Sequence, residues 1–160
     1  MGEYEPIFQA ANDGDIESLD KLISSGISLE ALDNYQWTPL MFAISADQEG
    51  AAKSLVERGA NVNHADETGF TVLQLASRTA SPDLVEFLID RGADVNAPGW
   101  DGETALIVAV LAERAEIVPV LIEAGADVHA RAEDGMSALD YALRRGRQDI
   151  ADLIVAQGGG

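Results

Sequence analysis

Thr38-Pro39-Leu40-Met41-Phe42-Ala43 is the stretch that decides the fold, because it returns at a fixed interval. Thr71-Val72-Leu73-Gln74-Leu75-Ala76, Thr104-Ala105-Leu106-Ile107-Val108-Ala109 and Ser137-Ala138-Leu139-Asp140-Tyr141-Ala142 each begin 33 residues after the copy before. One period ahead of Thr38 stands Glu5-Pro6-Ile7-Phe8-Gln9-Ala10, a degraded fifth copy. A fixed period of this size marks an array in which each repeat is one supersecondary unit. The expectation is a single domain over residues 1–160, with repeats near 5–33, 34–66, 67–99, 100–132 and 133–160.

Aligned at this period, the chain separates into columns. One runs Ile7, Leu40, Leu73, Leu106, Leu139, and three residues on comes Ala10, Ala43, Ala76, Ala109, Ala142. That spacing puts both on one helix face, and the small alanines predict close approach between neighbouring helices. A second block is Leu19, Ala52, Val85, Val118, Ala151, then Leu22, Leu55, Leu88, Leu121, Ile154, then Ile23, Val56, Ile89, Ile122, Val155. These are positions i, i+3 and i+4 of another amphipathic helix, so each repeat holds two short helices.

The helix ends are legible as well. Thr38-Pro39 offers an N-cap hydroxyl with proline at the first helical position, and Thr71-x-x-Gln74 has the capping-box pattern. Ser81-Pro82-Asp83 opens a second helix in the same manner. Gly26, Gly59, Gly92, Gly125 and Gly158, again one period apart, supply the left-handed residue that ends each second helix. Between that glycine and the next Thr lies a turn-rich segment such as Gly92 to Glu103, suited to a tight hairpin finger.

The Thr-Pro-Leu-x-x-Ala start, the Gly92-Ala93-Asp94-Val95-Asn96 run and the period together resemble ankyrin repeats, over essentially the whole chain from Glu5 to Gly158. The resemblance implies an all-α repeat solenoid of five stacked helix pairs joined by β-hairpin-like fingers. It also implies that fingers and first helices form a concave face on which a protein partner binds. Neighbouring repeats must supply the stability, since helices this short are unstable alone.

Several positions depart from the family pattern. The usual His three residues after the Thr is replaced by Phe8, Met41, Gln74, Ile107 and Asp140, and only Gln74 or Asp140 could imitate its hydrogen bonds. Gln36 stands where the other fingers have Gly69, Gly102 and Gly135, which predicts a strained tip. Pro98-Gly99 predicts a different turn in the third finger, lifting Trp100. Pro119 predicts a kinked or late-starting helix near Ile117. Polar residues in the first repeat (Asp13 to Lys21) and the last (Arg144 to Asp152) suggest that both ends are capped, with a complete, monomeric protein as the expectation.

The formal charge of −18 repels nucleic acid and anionic membranes and favours a partner with a basic surface. No apolar run reaches the ~18 residues that span a bilayer. The acidic start Met1-Gly2-Glu3-Tyr4-Glu5-Pro6 lacks the features of a secretory signal, and it lacks the Ser or Thr of a myristoylation signal. The absence of cysteine rules out disulfides and thiolate chemistry and fits a cytoplasmic location.

No catalytic, metal or cofactor constellation emerges, so the expectation is a non-catalytic chain without a cofactor. His64 and His129 are out of phase, and Asp13-Gly14-Asp15-Ile16-Glu17 lacks the later residues of a calcium loop. What remains is a surface. The residue before each helix start falls in one column, Tyr4, Trp37, Phe70, Glu103 and Met136, with Tyr35, Trp100 and Asp101 close to finger tips. Exposed aromatics are the usual anchors of interfaces, although aromatics here can also pack on the adjacent finger. Ser45, Arg78, Leu111 and Arg144 are expected on the same side. The candidate partner-binding residues are therefore Tyr35, Trp37, Phe70, Arg78, Trp100, Asp101, Glu103, Leu111 and Met136. The leading reading is a protein–protein interaction module. The alternatives are an acidic inhibitor or immunity-type protein that masks a basic effector or enzyme, and a structural scaffold.

Overall fold

A computed structural model describes residues 6–158; the readings placed on Met1-Gly2, Tyr4, Glu5 and the terminal Gly159-Gly160 lie outside the described residues. Ten α-helices follow one another in pairs. The first helices are α1 (Pro6–Asp13), α3 (Pro39–Ser45), α5 (Val72–Thr79), α7 (Ala105–Leu111) and α9 (Ala138–Arg144). The second are α2 (Ile16–Ser24), α4 (Glu49–Glu57), α6 (Pro82–Asp90), α8 (Ile117–Glu123) and α10 (Gln148–Ala156). First helices stack on first helices and second on second, which makes an all-α solenoid. Among the described residues the fingers contain no β-strand, only the isolated antiparallel bridges Ala65 to Thr71 and Arg131 to Ser137.

The capping signals act as read. Thr38, Thr71, Thr104 and Ser137 each accept from the backbone N–H three residues on, and Thr71 and Ser137 complete capping boxes with Gln74 and Asp140. Helix α8 begins at Ile117, two residues behind the register of its counterparts. Pro119 thereby falls in the first turn, where its missing N–H costs nothing. Gly26, Gly59, Gly92, Gly125 and Gly158 all have φ between 92° and 98°. Gln36 takes φ 63°, where its glycine counterparts sit at 70° to 81°. A Cβ is unfavourable there, so Gln36→Gly is expected to raise stability by about 1 kcal/mol, read as a later urea midpoint at unchanged slope.

The columns form one continuous core. Ala43, Ala76, Ala109 and Ala142 are fully buried, as are Leu40, Leu73 and Leu106, each leucine contributing about 1.5–3 kcal/mol. Asparagine side chains tie one repeat to the next: Asn63 Nδ2 donates to the Gly92 carbonyl and Asn63 Oδ1 accepts from Asp94 N–H. Asn96 makes the same pair of bonds to Gly125 and Asp127.

The two ends of the stack are not alike. At the N-terminal end, Gln9 replaces the buried Phe42, Leu75 and Val108 of its column, and Ser18 replaces the buried Ala51, Leu84, Ile117 and Ile150. Here the polar cap is real. At the C-terminal end, Leu143 is 52% exposed although its counterparts Ala11, Ile44, Ser77 and Val110 are buried. Val155 is half exposed and Leu139 only partly buried. The C-terminal cap is therefore mixed: Arg144, Arg145, Asp149 and Asp152 are exposed beside Leu143 and Val155. Two arginines of the last repeat turn back toward the stack, Arg145 to the Leu111 carbonyl and Arg147 to Glu113, while Asp140 is partly exposed where Phe8, Met41, Gln74 and Ile107 are buried.

Candidate protein-binding face

Every finger is closed by the same backbone bond: Asp33 N–H to the Trp37 carbonyl, Asp66 to Phe70, Gly99 to Glu103 and Ala132 to Met136. The first two are braced by a carboxylate. Asp33 Oδ1 accepts from the N–H groups of Tyr35 and Trp37. Asp66 Oδ1 accepts from Thr68 N–H, the Thr68 hydroxyl and Phe70 N–H, while its Oδ2 accepts from the Trp37 indole at 3.1 Å. Burial works against ionisation of Asp66, but these bonds from Thr68, Phe70 and Trp37 outweigh it, and its pKa lies below the usual carboxylate range.

The third finger differs. Gly99 replaces the bracing aspartate, and the Ala97 carbonyl, at the position of the His64 carbonyl that accepts from Val72 N–H in the second finger, accepts from the Gln74 side chain. Adjacent fingers elsewhere share a backbone bond, Glu67 N–H to the Tyr35 carbonyl and Glu133 N–H to the Asp101 carbonyl at 2.7 Å. Among the described residues the equivalent bond between Trp100 and Thr68 is not formed. The fully buried Gln74 bridges the gap instead. Its Oε1 accepts from Thr71 N–H, and its Nε2 donates to the carbonyls of Glu103 and Ala97. A cavity of about 150 Å³ remains between the second and third fingers, lined by Thr68, Phe70, Gln74, Gly99, Trp100, Asp101 and Glu103.

Four of the sequence-derived candidates, Phe70, Trp100, Asp101 and Glu103, meet at this cavity. Trp100 is 74% exposed and Tyr35, on the first finger, is 65% exposed. Trp37 is half-buried, edge-on to Phe42 with ring centroids 5.5 Å apart, and its indole is committed to Asp66. Phe70 carries the Arg78 guanidinium 4.8 Å from its ring centroid. Arg78 thus stacks on an aromatic of its own repeat. Leu111 is partly buried and its carbonyl accepts from Arg145. Met136 lies in the fourth finger, its sulfur 3.3 Å from Arg144 Nη1. Ser45 and Arg144 are exposed.

Electrostatics concentrate beside the cavity. Burial raises the Glu103 pKa, and the charges of Asp101 and Asp134 raise it further. Asp134 lies below the usual range because Met136 N–H and the Tyr141 hydroxyl donate to it. Tyr141 is pushed up to about 12 by burial, by its bond to Asp134 and by the charges of Asp134 and Glu103. Sequence reasoning did not find Gln74, Asp134 and Tyr141 as neighbours of this surface. For Gln74 the signal was its place in the His column; Asp134 and Tyr141 have no local pattern that pairs them.

A family model described as ankyrin repeats (3 copies) matches residues 7–99 and again residues 96–159. The chain belongs to the ankyrin repeat family. No curated protein matches it. Ankyrin repeats are generally protein–protein interaction modules, and typically non-catalytic ones. Among the described residues, no group of three or more His, Cys, Asp or Glu is arranged to hold a metal ion, and no helix is long and apolar enough to cross a membrane. His64 Nε2 lies 2.7 Å from the Gln36 carbonyl, joining two fingers, while His129 occupies the column of Asn63 and Asn96.

Proposed function

We propose that this ankyrin repeat protein binds a partner with a basic surface on its finger and first-helix face, centred on Trp100, Asp101 and Glu103. The observation that carries the reading is the third finger. A large aromatic, 74% exposed, stands beside a cavity lined by Asp101 and by Glu103, whose ionised form is disfavoured by burial and by the charges of Asp101 and Asp134. The sign follows from linkage. A carboxyl whose pKa is raised by folding contributes stability below its unfolded value and loses it as pH rises through the folded value. The ionised form of Glu103 is thus a cost that an incoming lysine or arginine offsets. The indole face of Trp100 suits the same cation. Tyr35 extends the face along the first finger, whereas Trp37 and Phe70 support it from within the stack.

A second reading, the masking of a basic effector or enzyme, rests on the net charge of −18 and uses the same face. Both require electrostatic steering. The association rate with a partner recovered on the immobilised chain is expected to fall on the order of tenfold or more as salt rises from low to high ionic strength. Asp101→Lys, at an exposed position, is expected to abolish recovery. A rate indifferent to salt, with recovery unaffected by Asp101→Lys, would remove the basic partner.

A further inference from the structure

The row of fingers is unevenly joined. Between the first and second fingers the Tyr35 carbonyl accepts from Glu67 N–H, and between the third and fourth the Asp101 carbonyl accepts from Glu133 N–H. At the middle joint the Thr68 carbonyl stands in the same column, and among the described residues no donor reaches it. The fingers have not drawn apart there, since a Cβ on Gly69 would lie 3.3 Å from Trp100 N. The opening is local: it is the cavity of about 150 Å³ between them. A space of that size holds one planar group of roughly the dimensions of a benzene ring, and it is too small for a helix or a strand.

The groups left over around this cavity are acceptors and a flat ring. The buried Gln74 amide is already committed to Thr71, Glu103 and Ala97. The carboxylates of Asp101 and Glu103 have no ion-pair or hydrogen-bond partner among the described residues. Arg78 does not reach them; it is held on the Phe70 ring, and so displays an aromatic of this surface taking a guanidinium on its face. We propose that the cavity is a socket for one arginine side chain of the partner protein, taken in preference to lysine. Its guanidinium stacks on Trp100 and donates to the Thr68 carbonyl and to the carboxylates of Asp101 and Glu103. Resting on the reading of the fingers as the binding face, this assigns the base and the joint it enters. Arginine suits the socket for two physical reasons. A planar fork of five donors serves acceptors from two fingers while lying flat on a ring, which an ammonium cannot do. A guanidinium is also the more weakly hydrated cation, so entering a half-enclosed space costs it less. The guest supplies the donor that the middle joint lacks and ties the second finger to the third.

An NMR titration of the full chain at low ionic strength tests this, with acetyl-Gly-Gly-Arg-Gly-Gly-amide and its lysine counterpart as probes. The backbone amides of Gly69 and Gly102, one on each side of the joint, report binding. The arginine peptide is expected to shift them saturably at millimolar concentration, and to bind about fivefold or more tightly than the lysine peptide. Trp100→Leu keeps the charges but removes the plane, so arginine is expected to fall to the level of lysine. Glu103→Gln keeps the backbone carbonyl that Gln74 holds and is expected to weaken the arginine peptide about fivefold or more. Both variants are expected to keep the far-UV spectrum of the wild type. Equal affinity for the two peptides, or a Glu103→Gln chain that binds arginine as tightly as the wild type, would overturn the socket while a basic partner on the same face still stood. Failure of both peptides to shift these resonances would overturn it as well, and the salt dependence of partner association would then decide the wider reading by itself.

Discussion

Gln74→Ala is expected to destabilise the protein by about 2–4 kcal/mol, which for a chain of this size lowers the melting temperature by roughly 5–15 °C. The size follows from what the side chain does. Gln74 is fully buried and holds three backbone groups, Thr71 N–H in its own repeat and the carbonyls of Glu103 and Ala97 in the next. Truncation leaves an uncapped donor, two carbonyls that lose a partner, and a void. A buried group left unsatisfied costs about 1–3 kcal/mol by itself. A double-mutant cycle makes the attribution specific. A Cβ on Gly99 would lie 2.9 Å from Gln74 Oε1 and 3.0 Å from Nε2, so Gly99→Ala should destabilise the wild type and cost much less beside Gln74→Ala. Additive effects in urea denaturation would show that Gln74 does not hold the third finger.

Trp100→Ala is the variant that should separate binding from folding. With 74% of its surface exposed, Trp100 contributes little to the core, and the change should fall within about 0.5 kcal/mol in stability. Affinity for the partner should fall by ~1–4 kcal/mol, the range of an aromatic hot spot, read as the dissociation constant in a titration. Trp37→Ala should do the reverse. Its indole bond to Asp66 and its edge contact with Phe42 are lost, so stability falls by about 1–3 kcal/mol. Any loss of affinity should then track the unfolded fraction. Equal affinity for wild type and Trp100→Ala, with the fold intact, would move the binding site off the third finger.

The repeat, the helix pairs, their caps and most of the core were legible in the amino-acid sequence because they are local or periodic. A threonine hydroxyl caps the amide three residues on, and alignment at 33 residues converts burial into columns that can be read without coordinates. Departures from the period were legible for the same reason. Gln36 is left-handed because the backbone turn requires it, and Pro119 delays α8 because its ring tolerates only the first turn. Trp100 was marked by Pro98-Gly99 beside it.

What the period could not report is any contact whose partners differ between repeats. Trp37 and Trp100 read alike as finger aromatics, yet one is locked by Asp66 and the other stands free of such a bond, a distinction made by a carboxylate 29 residues away. Gln74 read as a stand-in for histidine, and only packing revealed that it replaces a missing bond between fingers. The arginines of the last repeat read as a polar cap, but Arg145 and Arg147 reach back to Leu111 and Glu113. By itself the sequence determined the ankyrin solenoid and the phase of every helix, since those follow from periodic burial and local capping. The tertiary structure alone decided which aromatic is exposed, where a cavity opens and that Leu143 and Val155 stay half exposed in the last repeat. Those depend on where a long side chain finds its nearest partner in the neighbouring repeat.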